Sequence, residues 1–455
     1  MVQRRTSANR RHRRRILAPA MMGVAALALT ACSGGADLKG SEGTMSGDVV
    51  FWSSFTQGPR AEYMEEMAKK FEKDHPGVNI KIETFSWNEF NTKWTTGLST
   101  GAVPDASTAL PNQVVQMINV DALAPVDDVI DDIGRDRFYE SALSEGAAGG
   151  KNYSVPIYTH AQVMWYRKDL LAQAGIEVPT TWDELRSAAE KLSTDGVYGL
   201  SVPFGSNDVL ATRYLNFYMQ SAGENLIDDS GRANLTSKAA IDGISYWTDL
   251  YKDVSPKGSS NYNVLDQATL FYQGKTAIDF NSGFHISGVE GASPDLVDDI
   301  AAAPLPRMHE SDPVYGGETS NTPIVVWKAS SKRAAAKEFV KTLYNDDDYI
   351  RFLHSVPGGM LPALKDIESN EAYLDDEVLE EFSSSVDVIA DAVPLGSAMG
   401  MENGPQVQAG LLTNQAVIED MFQDIALNGV PVKEAAQQAE DKLNRLFETA
   451  GVTFE

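Results

Sequence analysis

Three stretches of this 455-residue chain set an aromatic ring beside hydroxyl, amide or imidazole groups: Phe55-Thr56-Gln57, Phe204 to Asn207, and Asn281-Ser282-Gly283-Phe284-His285. Trp87 adds a further ring just ahead of a helical stretch. A flat ring can lie against the apolar face of a cyclic polyol while its polar neighbours hydrogen-bond the hydroxyl rim. That chemistry is capture without bond-making. Covalent chemistry finds less support: the chain holds no H-E-x-x-H metal helix and no G-x-x-x-x-G-K phosphate loop. A pair of carboxylates flanking a sugar could still act as acid and base, which keeps an exported glycoside hydrolase as the rival reading. Among 64 acidic residues, chance supplies any such pair. The runs Asp127-Asp128, Asp131-Asp132 and Asp346-Asp347-Asp348 lack the glycine-turn spacing of a calcium loop. They read as helix starts or solvated faces, and no metal or cofactor is expected.

Such side chains must be presented by loops, and in an α/β sheet the loops at the carboxyl ends of strands do this. Asp48 begins a short apolar strand, DVVFW, and Pro59 opens a helix in which Tyr63, Met67 and Phe71 recur every four residues. His75-Pro76-Gly77 stops that helix, and Val78, Ile80 and Ile82 then alternate as a strand does. A strand, helix and strand of this length make a parallel, right-handed crossover. A helix through Phe90, Trp94 and Leu98 and a strand over 105–110 repeat the scheme, so the expectation is α/β with helices on both faces. Further on, the stretch from Ser154 to Arg167 and residues 197–204 read as strands, and Thr276–Phe280 as a buried one. Gly175 fits a helix C-cap, and Thr181 with Glu184 fits a capping box for a helix reaching about Ser193. Residues 236–253, 264–273, 332–345 and 432–447 carry helical periodicity.

The amino terminus sets the address. Seven arginines precede the apolar run Ile16–Cys32, and no acidic residue occurs before Asp37. A basic head, a short apolar run and a small-residue exit make a secretory signal. The run is too short to span a membrane, which takes about twenty apolar residues. Removing residues 1–31 leaves 31 basic against 64 acidic residues, a formal charge of −33. Such a charge argues against nucleic acid and against polybasic attachment to anionic lipid. Residues 33–47, rich in glycine and serine, read as a flexible tether.

Leu29-Thr30-Ala31-Cys32 resembles the lipobox of bacterial lipoproteins, which implies a lipid on Cys32, the chain's one cysteine, and anchorage at the outer face of the cell membrane. Arg13-Arg14 also resembles a twin-arginine signal, leaving the export route open. Over nearly all of the mature chain, landmarks resemble the extracellular solute-binding proteins of ABC importers, in the maltose-binding-protein-like branch that carries sugars and oligosaccharides. FEKDHPGVNIKIE resembles that family's first helix and second strand, and Tyr166-Arg167-Lys168-Asp169 its first crossover. YQGKTAIDFNSGF resembles its glycine-lysine strand, and YGGETSNTPIVVWKASSKRAAAKEFVKTLY its return crossover and the following helix.

The resemblance implies two α/β lobes of the periplasmic-binding-protein type, joined by about three crossings, with ligand in the cleft between them. It places lobe one at 48–158 and 322–392 and lobe two at 159–321 and 393–455. The implied partners are a carbohydrate ligand and membrane permease subunits, with any ATPase a separate protein. Candidate ligand contacts are Phe55, Thr56, Trp87, Asn112, Tyr158, His160, Phe204, Ser282, Phe284, Glu318, Glu402 and Asn403. Phe284 stands at the position of the family's stacking tryptophan and ranks first. Ala109 and Leu110 depart from the pattern, standing where relatives place a stacking aromatic. For Phe55 and Trp87 a core position is the competing reading, for His160 a hinge hydrogen bond, and for Glu318 a solvated surface. A second alternative keeps the binding role and changes the ligand to a non-sugar solute such as a metal, a peptide or an anion; the few basic residues in these loops argue against phosphate or sulfate.

Overall fold

The computed structural model describes residue 43 and residues 45–454 apart from 57, 195 and 207, and not the side chains of 87, 88, 90 and 91. Cys32, the leader, most of the tether, Gln57, Asn207 and the Trp87 side chain thus lie outside the described residues. Twelve strands occur among those described: β1 Gly47–Ser53, β2 Val78–Thr84, β3 Ala106–Thr108, β4 Ala147–Ala148, β5 Lys151–Asn152 and β6 Ser154–Ala161, then β7 Val163–Arg167, β8 Tyr198–Leu200, β9 Thr276–Asn281, β10 Ile300–Ala303, β11 Thr319–Val326 and β12 Leu361–Pro362.

They form two main sheets, one per lobe. The first has the order β12-β6-β11-β3-β1-β2 and the second β10-β7-β9-β8. In the first, β1 pairs parallel with both β2 and β3 across their intervening helices, as the strand-helix-strand pattern requires. The helix Gly58–Asp74 buries Tyr63, Met67 and Phe71, the residues that recur every four. The sheet is not wholly parallel. Strand β11 returns from the second lobe and lies antiparallel between β3 and β6, a late insertion that local periodicity does not show.

The apolar run from Ser154 to Arg167 is two strands in different sheets. Gln162 stands between them, its N–H donating to the Glu318 carbonyl at 2.9 Å just before β11 begins. Two crossings therefore run side by side. Pro156 on β6 faces Pro323 on β11 next to a break in register, where the ladder lacks both N–H donors. The helix Ser383–Ala392, which the resemblance places in lobe one, packs against β10, with Ser385 Oγ accepting from Ala302 N at 3.1 Å.

The capping box forms as read: Glu184 N donates to Thr181 Oγ1 at 3.3 Å and Thr181 N to Glu184 Oε2 at 3.2 Å. Gly175 caps its helix in the left-handed region at φ 63°. Residues 197–204 shorten to β8, beyond which Phe204 N bonds Ser259 O at 3.0 Å. Lobe two is built around Trp182, Tyr214, Trp247 and Phe280, all buried. Asp127-Asp128 and Asp346-Asp347-Asp348 open helices, where carboxylates favour the helix dipole. Among the described residues no helix is long and apolar enough to cross a membrane.

Candidate functional site

A cavity of about 660 Å³ lies between the lobes. The first lobe lines it with Arg60, Leu110, Gln113, Tyr158, His160 and Thr322; Gln162 stands at the crossing. The second lobe contributes Asp208, Arg213, Tyr272, Asn281, Ser282 and Phe284, with Thr413, Asn414 and Ala416 from the C-terminal part of the chain. Asn281, Ser282 and Phe284 follow the carboxyl end of β9, as the strand-end rule expects.

Phe284 is half-buried and spans the gap. Its ring meets Tyr158 edge-on at 6.4 Å and His160 at 5.9 Å, and it packs against the core of lobe one. Its placement depends on close backbone contact: a Cβ on Gly283 would lie 1.9 Å from the Gly358 carbonyl oxygen. Glycine is the residue that permits such an approach. The Arg60 guanidinium carbon lies 5.3 Å from the centroids of both Phe284 and Phe55.

His160 faces the cavity as a neutral ring. Burial holds its imidazole down to about 4, Glu318 opposes that and Arg213 adds to it. Its Nδ1 is buried without a protein partner, so a ring nitrogen is left for a hydroxyl. Ser282 turns its carbonyl to Trp165 Nε1 at 3.1 Å, which fixes the loop. Asn112 reaches across to Thr413 Oγ1, linking the helix Pro111–Asn119 of lobe one to the helix Val407–Asn414 of lobe two.

Several expected residues stand elsewhere. Phe55 is fully buried beside Tyr158 and Phe352, so its ring packs in the core of lobe one. Phe204 is likewise buried, stacked on Phe422 at 4.7 Å. Thr56 is exposed outside the cavity lining. Glu318 is neither solvated nor on the cavity wall: it grips Arg213, Nη2 to Oε1 at 3.2 Å and Nε to Oε2 at 2.5 Å. Burial works against the Arg213 charge, and the carboxylate more than offsets it, so the guanidinium sits above its ordinary value. Glu402 accepts from Gln220 at 3.0 Å and Gly400 N at 3.1 Å, with burial raising its carboxyl. Asn403 bonds Asp229 on the surface at 3.3 Å. His285 points into the core, Nε2 to Asp279 Oδ2 at 2.7 Å.

Other lining residues escaped the sequence reading. Arg60 and Arg213 sit on helices, not loops, so counting basic residues in loops missed two guanidiniums on the wall. Tyr272 supplies a second ring of the kind sought at Ala109 and Leu110; Ala109 is buried and Leu110 lines the cavity. Asp208 is the one carboxylate among the described lining residues, and its oxygens accept from Val209 N and Val264 N, both at 2.7 Å. The string Gly97-Leu98-Ser99-Thr100-Gly101 has G-x-S-x-G spacing but forms the last turn of a helix, not the strand-to-helix elbow of a serine hydrolase. No group of acidic, histidine or cysteine side chains able to hold a metal occurs among the described residues.

Two α/β lobes facing each other across a ring-lined polar cavity define a solute-binding protein. The chain belongs to the bacterial extracellular solute-binding protein family, which its residues 57–350 match. It is similar to the diacetylchitobiose binding protein DasA of Streptomyces coelicolor, 25% identical over 445 residues that cover 94% of this chain and 97% of that one. The fold is shared with a solute-binding protein of Agrobacterium radiobacter K84 in complex with ribitol, at TM-score 0.76 and 20% identity over 89% of this chain and all of that one. Maltose-bound MalE3 of T. maritima gives TM-score 0.75 at 20% identity, over 88% and 99% of the two chains.

Proposed function

We propose that this protein captures a sugar or short oligosaccharide between its lobes and delivers it to the permease of an ABC importer. A lipid on Cys32 would hold it at the outer face of the membrane. The observation that carries the reading is the cavity wall. The rings of Phe284, Tyr158 and Tyr272 stand among the amides and hydroxyls of Gln113, Gln162, Asn281, Ser282 and Thr322. Rings suit the apolar face of a saccharide, and amides and hydroxyls suit its rim. The ligands of these similar proteins, diacetylchitobiose, ribitol and maltose, are all polyhydroxylated. Binding without turnover is supported by the acid content of the described wall, because hydrolysis uses two carboxylates and the described lining residues offer Asp208, already engaged by two backbone amides.

A panel of mono- and oligosaccharides in thermal melts tests the reading. A true ligand stabilises the native state by RT ln(1 + [L]/Kd), roughly 2.7 kcal/mol at a hundredfold excess. The bound sugar should be recovered unchanged by chromatography after long incubation; cleavage products would move the assignment to a hydrolase. Stabilisation by acidic solutes alone would move it to a non-sugar ligand held by Arg60. Cys32→Ser should shift the protein from the membrane to the soluble fraction, and a variant that stays membrane-bound would sink the anchor.

A further inference from the structure

One cation on the cleft wall has no counter-charge. Arg60 lines the cavity from the first turn of the helix Gly58–Asp74, and among the described residues it makes no ion pair and no hydrogen bond. The chain holds 64 acidic residues against 38 basic ones, so a lone arginine is not for want of partners. Its helix neighbours three and four positions on are Tyr63 and Met64, neither of them an acid. The helix dipole favours carboxylates in a first turn, and this first turn carries none. What holds the side chain is a pair of rings, with the guanidinium carbon 5.3 Å from the centroids of Phe55 and Phe284. A cation–π contact uses the charge but none of the N–H donors.

The other charges on the described wall are already matched. Arg213 is gripped by Glu318, and Asp208 attracts it as well. Asp208 in turn accepts from the backbone amides of Val209 and Val264, both at 2.7 Å. His160 stays neutral, because burial holds its imidazole down to about 4. Arg60 is thus the one cation among the described lining residues left to take a negative charge from the solute. That charge belongs beside a sugar ring, since the guanidinium shares Phe284 with the place where the apolar face of a saccharide would lie. A carboxylate suits a single guanidinium, whose planar fork matches two oxygens. A phosphate monoester carries a charge of about −1.5 to −2 and would leave part of it unmatched.

Resting on the sugar-binding reading above, we infer that the natural solute is an acidic saccharide, a sugar whose carboxylate Arg60 receives. Phe284 takes the ring of that unit, and the surrounding amides and hydroxyls take its rim. The shortage of basic residues in the cleft loops then marks a site for one negative charge rather than for none.

Titration calorimetry with uronic acids and their di- and trisaccharides tests this. Each is measured beside its methyl ester, which keeps the skeleton and removes the charge, and beside its neutral parent sugar. In a series that binds, wild type should prefer the acid by about tenfold or more, and added salt should shrink that preference. Arg60→Gln should bind acid and ester alike. Arg60→Lys, which keeps the charge without the fork, should keep part of the preference. A mere packing role for Arg60 would weaken acid and ester equally and leave their ratio as it is in wild type. The wild-type ratio needs no variant, so it decides the charge preference even where Arg60→Gln folds poorly. An acid-to-ester ratio near one in wild type, neutral sugars that bind where no uronate does, or a ratio that survives Arg60→Gln would overturn the acidic saccharide and leave the sugar reading standing. Sugar phosphates that bind more tightly than uronates would overturn it as well. If no saccharide binds, acidic or neutral, the sugar reading itself fails, whatever acetate or inorganic phosphate does.

Discussion

Gln116 lies so close over Gly410 that a Cβ on the glycine would come within 2.4 Å of the glutamine Cγ. The two residues belong to helices from opposite lobes, and the same glutamine accepts a hydrogen bond from Asn414 across the gap. Glycine at 410 is thus what allows the lobes to meet beside the cavity.

Gly410→Ala should push the Gln116 side chain aside and break its bond to Asn414. An intramolecular hydrogen bond contributes about 0.5–1.5 kcal/mol, so ligand affinity should fall roughly two- to tenfold as the closed arrangement is disfavoured. The stability of the unliganded protein should change little, because the contact lies between lobes. Titration calorimetry and urea melts check both. Unchanged affinity would show that this contact is indifferent to closure.

Phe284→Ala should weaken sugar binding by roughly 1.5–3 kcal/mol, from about tenfold to more than a hundredfold in Kd. The ring is half-buried between Tyr158, His160 and the Arg60 guanidinium. The unliganded variant should therefore lose less than the roughly 3–5 kcal/mol typical of a core phenylalanine. Normal binding in a protein that unfolds several kcal/mol more easily would make Phe284 a packing residue.

These two positions show how far the sequence reaches. The place of Phe284 on the cavity wall was legible because it follows a wholly buried strand whose end faces the cleft, and because the family resemblance puts a ring at that position. Gly410 was not, because a helix-to-helix contact across lobes leaves no periodicity in either helix. The parallel β1–β2 and β1–β3 pairs were legible as local crossovers. The insertion of β11 between β3 and β6 joins residues 158 to 220 positions apart, and no local signal carries that pairing. Phe55 and Phe204 also follow strands, yet both rings turn inward. A strand end locates the loop but does not decide which side of it a side chain takes.

Glu318→Gln should destabilise the unliganded protein by about 3 kcal/mol. It leaves Arg213, its side chain 12% exposed, as a buried charge without its two-pronged partner. Replacing both residues by methionine should recover much of that loss, since an apolar pair needs no desolvation of charge. The double variant would still bind ligand weakly if Arg213 contacts the solute from the cavity wall. Urea melts of wild type and the two variants measure the stability changes, and titration calorimetry measures binding. A Glu318→Gln protein as stable as wild type would show that water reaches Arg213 freely.

Glu419 sets a pH dependence that can be isolated by substitution. Its carboxylate accepts from Thr212 N at 3.1 Å and Thr212 Oγ1 at 2.6 Å, and the residue is 1% exposed. Burial pushes the carboxyl up from 4.5 to about 7; the Thr212 hydrogen bonds oppose this, and Asp208 adds a smaller push upward. The folded state therefore holds a proton that the unfolded chain releases between those two values. Stability from this group is fully present below pH 4.5 and is lost as pH rises through about 7. The loss amounts to at most about 3 kcal/mol. Glutamine keeps an acceptor for Thr212 and cannot ionise. Urea melts between pH 4 and 8 should then show Glu419→Gln gaining on wild type steadily above pH 4.5, with the difference levelling off just above 7. A difference that stays flat across the range would mean that the folded protein leaves Glu419 ionised at its ordinary value.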